Sequence, residues 1–530
     1  MGGQDNILNI ALYPDNMGIR FRQILRRDGI PFFPYQEKSN LRVVSVVGIF
    51  ISFFTTTFSQ AEDMGFFLSV SGLISNGYRL YSEAFEIKDP LFLYSNAIAI
   101  HFLGLIGPFL LDFIISGAAL PIAYLIGKSL INSSKTAFIA ALLFQLALTG
   151  QFGQTLRSQI MGILFILFSL YSALLGKWYL AGFLAAGVLF SKMPLFIVIG
   201  CVLLSLVLHA RKWKVVTQLS IGFVTFAFPM IAIMSIRGEF IPYLMMVKEN
   251  FIYASNYQSI VGQNPGLLGH FLVWDGSESR FVSFIASTIV IIVLAYRERL
   301  LASQLFFVVI SINVSVAVFL LYTAMWPHHL QVMSLYVFSC SLFLLNSVQC
   351  KFVQNNSHSG KLMGKKSQVS IDLRAIALPI IVLIMLISNS GATLPSKPSM
   401  SIKTWLHPNW SVPAEIQMLD IVSSKLPESF SFARLGMNDD MGLGAFLKPQ
   451  WKFVCTRLAI MGSESPQVIG KFLDCLRSQP NVILIAPFYE SQSQRIGSYQ
   501  EFFAKSRDLL LKDFECNDFA NGFRYCLRKI

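Results

Sequence analysis

Residues 194–236 read PLFIVIGCVLLSLVLHARKWKVVTQLSIGFVTFAFPMIAIMSI. Two apolar runs, 194–210 and 215–236, are separated only by a turn carrying Arg211, Lys212 and Lys214. Each run is close to the roughly 17 to 25 residues a helix needs to cross a hydrocarbon core. The stretch therefore reads as two membrane helices joined by a basic turn.

The rest of the chain agrees. Of 530 residues, 42 are Lys or Arg and 29 are Asp or Glu, so 13% are charged, against about 25% in ordinary soluble domains. With 54% hydrophobic residues and a mean hydropathy of +0.58, a water-soluble fold would carry more apolar surface than solubility allows. The first 390 residues are accordingly expected to sit mostly in lipid rather than to divide into soluble domains. The net charge of +13 lies in short clusters between apolar runs, with no basic stretch interleaved with aromatics, which argues against nucleic-acid binding. A cleavable signal peptide is not expected, because the polar segment before the first apolar run carries Arg20, Arg22, Arg26, Arg27, Lys38 and Arg42 and is far longer than a cleavable n-region.

By the length rule, eleven candidate spans lie near residues 43–60, 109–127, 136–150, 159–175, 178–191, 194–210, 215–236, 281–296, 301–322, 330–347 and 375–391. With the amino terminus cytoplasmic, alternate turns hold Lys128 and Lys135, Lys177, the 211–214 cluster, Arg297 and Arg299, and Lys351 to Arg374. The opposite side holds only scattered cations, among them Arg79, Lys88, Arg157, Lys192, Arg237, Lys248 and Arg280, and this is the positive-inside pattern. An odd number of spans exports the carboxy terminus. The expected organisation is a cytoplasmic segment 1–42, a transmembrane module 43–394 and an extracytoplasmic domain 395–530, in the plasma (inner) membrane. The fold class expected is an all-α polytopic membrane protein with a small C-terminal α/β domain.

In that tail, charged residues, Pro and Asn return. NVILIAP and FSFARLG read as buried strands, and SPQVIGKFLDCLRS has helical spacing with a start at Ser465-Pro466. Four of the seven cysteines, Cys455, Cys475, Cys516 and Cys526, lie there, as an oxidising compartment permits. Four cysteines allow three connectivities. The favoured one pairs Cys455 with Cys475 and Cys516 with Cys526, the second across a hairpin turning at Asn521-Gly522; four unpaired buried thiols are the alternative.

Ionisable groups just outside the spans carry most of the functional information. The first outer loop, SQAEDMGFFLSVSGLISNGYRLYSEAFEIKDPLFLYS, is the richest, with Glu62, Asp63, Glu83, Glu86, Lys88 and Asp89. Its residues Phe66, Phe67, Val70, Leu73 and Ile74 recur at helical spacing, so an amphipathic interfacial helix, lying as a lid over the bundle, is expected.

The Glu-Asp pair at the end of the first span, the Gly77–Tyr81 turn and KDPLFLY together resemble the first external loop of the GT-C glycosyltransferases. The similar branch contains protein O-mannosyltransferases, lipid A aminoarabinose transferases and related polyprenyl-phosphate sugar transferases. Lys192-Met193-Pro194, ENFIYA at 249–254, WPHHLQV at 326–332 and the exported tail fit the same architecture. The resemblance covers residues 40 to 395. It implies transfer of a sugar, with inversion, from a polyprenyl-phosphate donor to a glycan, lipid or protein acceptor at the outer face.

An acceptor hydroxyl needs a base, and the resemblance assigns that role to Asp63. In the family an acidic residue usually follows this position, whereas here Met64 follows and Glu62 precedes; adjacent residues on a helix diverge by about 100°, so which of the two faces the site stays open. The leaving lipid phosphate needs a cation in a water-poor setting. Lys88 is the first candidate, although Asp89 stands where relatives carry Pro and can pair with it. Lys192 and Arg157 follow, and His328 and His329 can contact phosphate or sugar. Tyr78, Tyr81 and Tyr253 can line a sugar or acceptor pocket, or be ordinary interfacial tyrosines. Some relatives hold the donor phosphate through a divalent cation, Mg or Mn, for which Asp63 with Glu62 or Glu239 would supply oxygens.

Two rival readings remain. A transporter or flippase would place ionisable residues near the midplane of paired halves, and no internal repeat is seen. An O-antigen-ligase-like enzyme with a diphosphate donor would use the 237–280 loop, with Glu239, Lys248, Asp275 and Arg280.

Overall fold

The computed structural model describes residues 35–55, 63–84, 88–131, 133–150, 158–211, 213–248, 250, 277–298, 300–322, 331–359, 381, 384, 414–426, 430–435, 451–455, 466–485, 498–519 and 522–529. The chain forms two compact units, Met1–Val44 and Ser45–Ile530. The described part of the first is the beginning of helix α1 (Tyr35–Thr55). The second holds every other element.

Helices α2 (Asp63–Ser75), α3 (Pro90–Leu103), α4 (Gly107–Leu130), α5 (Ser134–Gly150), α6 (Ser158–Leu174), α7 (Trp178–Ser191), α8 (Phe196–Ala210), α9 (Lys214–Ile236), α10 (Ser277–Arg297), α11 (Gln304–Tyr322) and α12 (Met333–Ser359) follow. Neighbours pack as α2 on α3, α4 on α5 and α6, α7 on α6 and α9, α8 on α11, and α12 on α5, α10 and α11. The closest approach is at Gly182 of α7 and Gly222 of α9. A methyl group at either glycine would collide with the backbone carbonyl of Leu219 or Tyr179 on the facing helix. Small residues allow such contact where lipid supplies no hydrophobic drive between helices.

Outward-facing side chains of this bundle are apolar: Phe102 is 76% exposed, Ile114 62%, Phe228 70% and Ile236 86%. Water would not tolerate such a surface, and hydrocarbon does. Among the described residues, Pro90–Leu130, Met193–Ala210 and Lys214–Ile236 are long and apolar enough to cross a membrane, with seven shorter apolar helices beside them. These ten coincide with the first ten expected segments; the eleventh, 375–391, lies outside the described residues apart from Ile381 and Ile384.

Two expectations for the first outer loop are corrected. It ends sooner than the charge pattern suggested, because a helix begins at Pro90 and continues through a one-turn 3₁₀ element (Gly104–Ile106) into α4. Gly104, at φ +64°, breaks the run, and Gly107 lies against the Ala99 backbone too closely for any side chain. The amphipathic lid is also absent from this segment: the side chains from Phe67 to Ile74 in α2 are all buried. The helix is apolar around its circumference and is covered all round rather than lying on a surface.

The C-terminal elements are α13 (Ala414–Ser423), β1 (Ser431–Leu435), β2 (Lys452–Phe453), α14 (Pro466–Ser478), β3 (Val482–Ile485), α15 (Ser498–Asp513), β4 (Phe514–Asp518) and β5 (Arg524–Arg528). The strands form one mixed sheet in the order β2-β1-β3-β5-β4. β1 runs parallel to β2 and β3, and β5 antiparallel to β3 and β4. Ile469, Phe472, Leu473 and Leu476 place one face of α14 on Ala433, Ile483 and Ile485, the i, i+3, i+4, i+7 stripe of a helix on a sheet. Cys455 is bonded to Cys475, and Cys516 to its cross-strand partner Cys526.

Candidate functional site

The site begins where α2 stops. Gly77, at φ +93°, lets Tyr78 N–H bond to Leu73 O at 3.1 Å and Gly77 N–H to Ile74 O at 3.0 Å, the double closure typical of a glycine-ended helix. The chain then turns on itself. Glu83 N–H and Ala84 N–H both bond to Arg79 O at 2.9 Å, and Tyr81 N–H bonds to Ala84 O at 2.8 Å. Tyr81 is held at φ +67°, a left-handed conformation that costs a bulky residue about 1–2 kcal/mol. Its hydroxyl donates to the Lys88 carbonyl at 2.8 Å, and its ring lies 5.4 Å from that of Tyr243.

Asp89 occupies the N-cap of α3, with Pro90 at the first helical position, yet its carboxylate does not cap its own helix. It reaches instead to the turn between α7 and α8. There the Met193 N–H donates to Oδ2 at 2.9 Å, while the Tyr243 hydroxyl donates to Oδ1 at 3.2 Å. Burial pushes the Asp89 carboxyl up from its ordinary value, against the opposing pull of Lys192, the Met193 N–H, Tyr243 and Lys88. The Met193–Asp89 bond thus brings the backbones at Lys192 and Lys88 together from two loops, and both lysine charges act on this one buried carboxylate. Lys88 Nζ sits 5.4 Å above the Phe67 ring of α2, which orients the ammonium without neutralising it. The stem of Lys192 is half-buried at the end of α7 opposite Gly162, where an added methyl would meet its Cβ at 3.4 Å. Lys88 and Lys192 thus bring two cations to the surroundings of one carboxylate.

A second carboxylate braces the turn. Glu239, fully buried, accepts the Leu80 N–H at 2.8 Å and Arg237 Nε at 2.8 Å on Oε1, and the Tyr94 hydroxyl on Oε2. Arg237 Nη2 donates to the Tyr78 carbonyl at 3.0 Å. Burial pushes the Glu239 carboxyl up to about 7, against the lowering effects of the Leu80 N–H and Arg79. With both oxygens engaged, one of them by a cation, Glu239 does not fit the role of metal ligand considered above. Among the described residues no group of three His, Cys, Asp or Glu side chains could hold a metal.

On the far side of the turn the Tyr78 hydroxyl meets the Phe453 backbone of β2. Between turn and sheet lies a cleft of about 550 Å³ whose polar lining includes Asn76, Tyr78, Glu83, Lys452 and Gln479. The sequence-based candidates therefore divide. Lys88, Lys192 and Tyr81 come together around Asp89; Tyr78 faces the cleft. Asp63 is the first residue of α2, but its side chain lies outside the described residues, as do Glu62, Arg157, Tyr253, His328 and His329. Asp89 does not pair off with Lys88 but ties down the α7–α8 turn. Tyr94 and Tyr243 carried no sequence signal, since their partners lie 145 and 154 residues away.

A helical bundle with an apolar exterior and a small mixed sheet beside it defines the class: a helical membrane protein with a small α/β portion. No family model matches the chain, and no curated protein does. Among solved structures, it is similar to ArnT from Cupriavidus metallidurans bound to undecaprenyl phosphate, at 13% identity and a TM-score of 0.49, over 91% of this chain and 97% of that one. It is also similar to ArnT from the same organism in the apo state, at 10% identity and 0.45, over 93% and 98%.

Proposed function

We propose that the protein is a multi-pass membrane glycosyltransferase of the GT-C type that moves a sugar from a polyprenyl-phosphate donor to an acceptor at the extracytoplasmic face, with inversion. The single observation that supports this is the hydrogen bond between Asp89 and Met193, which brings the Lys88 and Lys192 segments together. Two cations brought from separate loops to one edge of a lipid-embedded bundle suit a lipid monophosphate, whose tail stays in the bilayer while its charge grows as the sugar leaves. Asp63 is the proposed base, taking the acceptor proton as the glycosidic bond to phosphate breaks and the new bond forms. Arg157, His328 and His329 are proposed donor contacts, and Tyr253 a pocket residue.

In this reading the amino terminus is cytoplasmic, residues 43–394 form the catalytic module in the plasma membrane, and residues 395–530 lie outside. The acceptor, a glycan, lipid or protein, enters by the cleft at Tyr78, whose ring and amide neighbours suit hydroxyl-bearing ligands.

The test is sugar transfer from a synthetic polyprenyl-phosphate donor by the purified full-length protein. Asp63→Asn should lower turnover by about 10² to 10⁴, the usual cost of removing a general base; turnover within a few-fold of wild type refutes Asp63 as base.

A further inference from the structure

We propose that Arg237 and Glu239 are positioning residues: they grip the backbone of the Tyr78–Leu80 turn and thereby set where Lys88 stands. The inference rests on the reading that Lys88 meets the donor phosphate.

The geometry is a two-point hold. Gly238, at φ +71°, turns the chain after α9 so that the residues on either side of it address one segment. Arg237 donates to the Tyr78 carbonyl at 3.0 Å and Glu239 accepts from the Leu80 N–H at 2.8 Å, each 159 residues away in sequence. The two side chains are also paired with each other at 2.8 Å, which fixes the fork itself. Glu239 further accepts the Tyr94 hydroxyl, linking the fork to α3, the helix that begins immediately after Lys88-Asp89.

A fully buried carboxylate is expensive, and an apolar side chain of similar size would join the same elements at less cost. What it cannot do is specify the position of a loop backbone. This turn needs such specification, because Tyr81 sits in a conformation that its side chain disfavours and that persists only when the surroundings over-determine it. The hold then passes along the chain: Glu239 fixes Leu80, Tyr81 follows, and the Tyr81 hydroxyl fixes the Lys88 carbonyl.

The experiment uses the full chain in lipid nanodiscs, with undecaprenyl phosphate as probe. Its affinity is measured by native mass spectrometry, and amide exchange over residues 76–90 is followed in parallel. Glu239→Ala should weaken the lipid about tenfold and speed exchange at Leu80 and its neighbours by a similar factor, as expected for loss of charge-assisted hydrogen bonds. Exchange in β3 and α14 should stay at wild-type rates. Glu239→Gln, whose amide oxygen still accepts from Leu80, should restore most of both. Should Glu239→Ala fail to fold, Arg237→Ala, which leaves the carboxylate in place, is read in the same way. Unchanged affinity, or unchanged exchange at residues 78–88, in the folded variant overturns the proposal. If wild type does not bind undecaprenyl phosphate, the functional reading fails instead, and exchange alone decides whether the grip exists.

Discussion

Asp89 and Met193, 104 residues apart, are joined by a 2.9 Å hydrogen bond from backbone N–H to carboxylate. Because Lys88 precedes the first residue and Lys192 the second, this one bond sets the spacing of the two lysines. An N-cap acid would ordinarily be spent on the free N–H groups of its own helix; here it is spent on a neighbouring turn, and the start of α3 has proline in place of one of those donors.

Removing that carboxylate should therefore cost more than a cap. Asp89→Ala strands the buried Tyr243 hydroxyl, at about 1–3 kcal/mol, and the partly buried Met193 N–H, at less. The expected result is a clearly lower thermal midpoint together with loss of polyprenyl-phosphate binding. Asp89→Asn, which still accepts from one donor, should lie between, and calorimetry beside a lipid-binding assay separates the two effects.

Phe67 offers a milder test of the Lys88 site. Its ring lies under the ammonium at 5.4 Å, an arrangement worth about 0.5–1 kcal/mol at a partly exposed position. Phe67→Leu keeps the packing of α2 but not the quadrupole, so the affinity for a polyprenyl phosphate should fall about two- to fivefold. Lys88→Gln should abolish binding; titration of the same lipid against both variants gives the comparison.

Burial of Glu239 makes a pH prediction with a definite sign. Its carboxyl is raised from the usual 4.5 to about 7, so between these values the folded chain keeps a proton that the unfolded chain has lost. Stability must then fall as pH rises through that window and level off above it, by on the order of a few kcal/mol in all. Asp89, raised by its own burial, contributes with the same sign. Thermal midpoints measured from pH 5 to 8 should decline in wild type and decline less in Glu239→Gln; a rising curve would contradict the assignment.

How much of this was legible beforehand follows from the range of each interaction. The helical segments announced themselves because lipid demands long apolar runs, and SPQVIGKFLDCLRS because its apolar stripe is periodic. Lys88 and Lys192 stand out in the sequence because the charge rule, with the amino terminus taken as cytoplasmic, expects few cations in their loops. Nothing local marked Glu239 as a backbone partner of Leu80, since a glutamate two residues from an arginine reads the same whether solvated or buried. The reading of α2 as an amphipathic lid failed for a related reason: helical spacing of Phe67, Val70 and Leu73 does not reveal whether the small residues Ser69, Ser71 and Gly72 face water or another helix.

The glycines of the bundle supply a paired prediction about packing. Gly222 on α9 lies against the Tyr179 carbonyl of α7, and a methyl group there would overlap backbone that cannot move aside, whereas a methyl at Gly200 on α8 meets nothing within 4 Å. Gly222→Val must therefore separate α7 from α9. Since Lys192 is the C-cap of α7, the α7–α8 turn that Asp89 holds would be displaced with it. Overpacking of this kind costs about 1–3 kcal/mol or more, so the variant should express poorly and lose lipid binding together with thermal stability. Gly200→Ala replaces the poorest ordinary helix former with the best and should raise stability by up to about 1 kcal/mol. Measured side by side, a loss at Gly222 and none at Gly200 would locate the requirement in the contact between α7 and α9; equal losses would place it in helix formation instead.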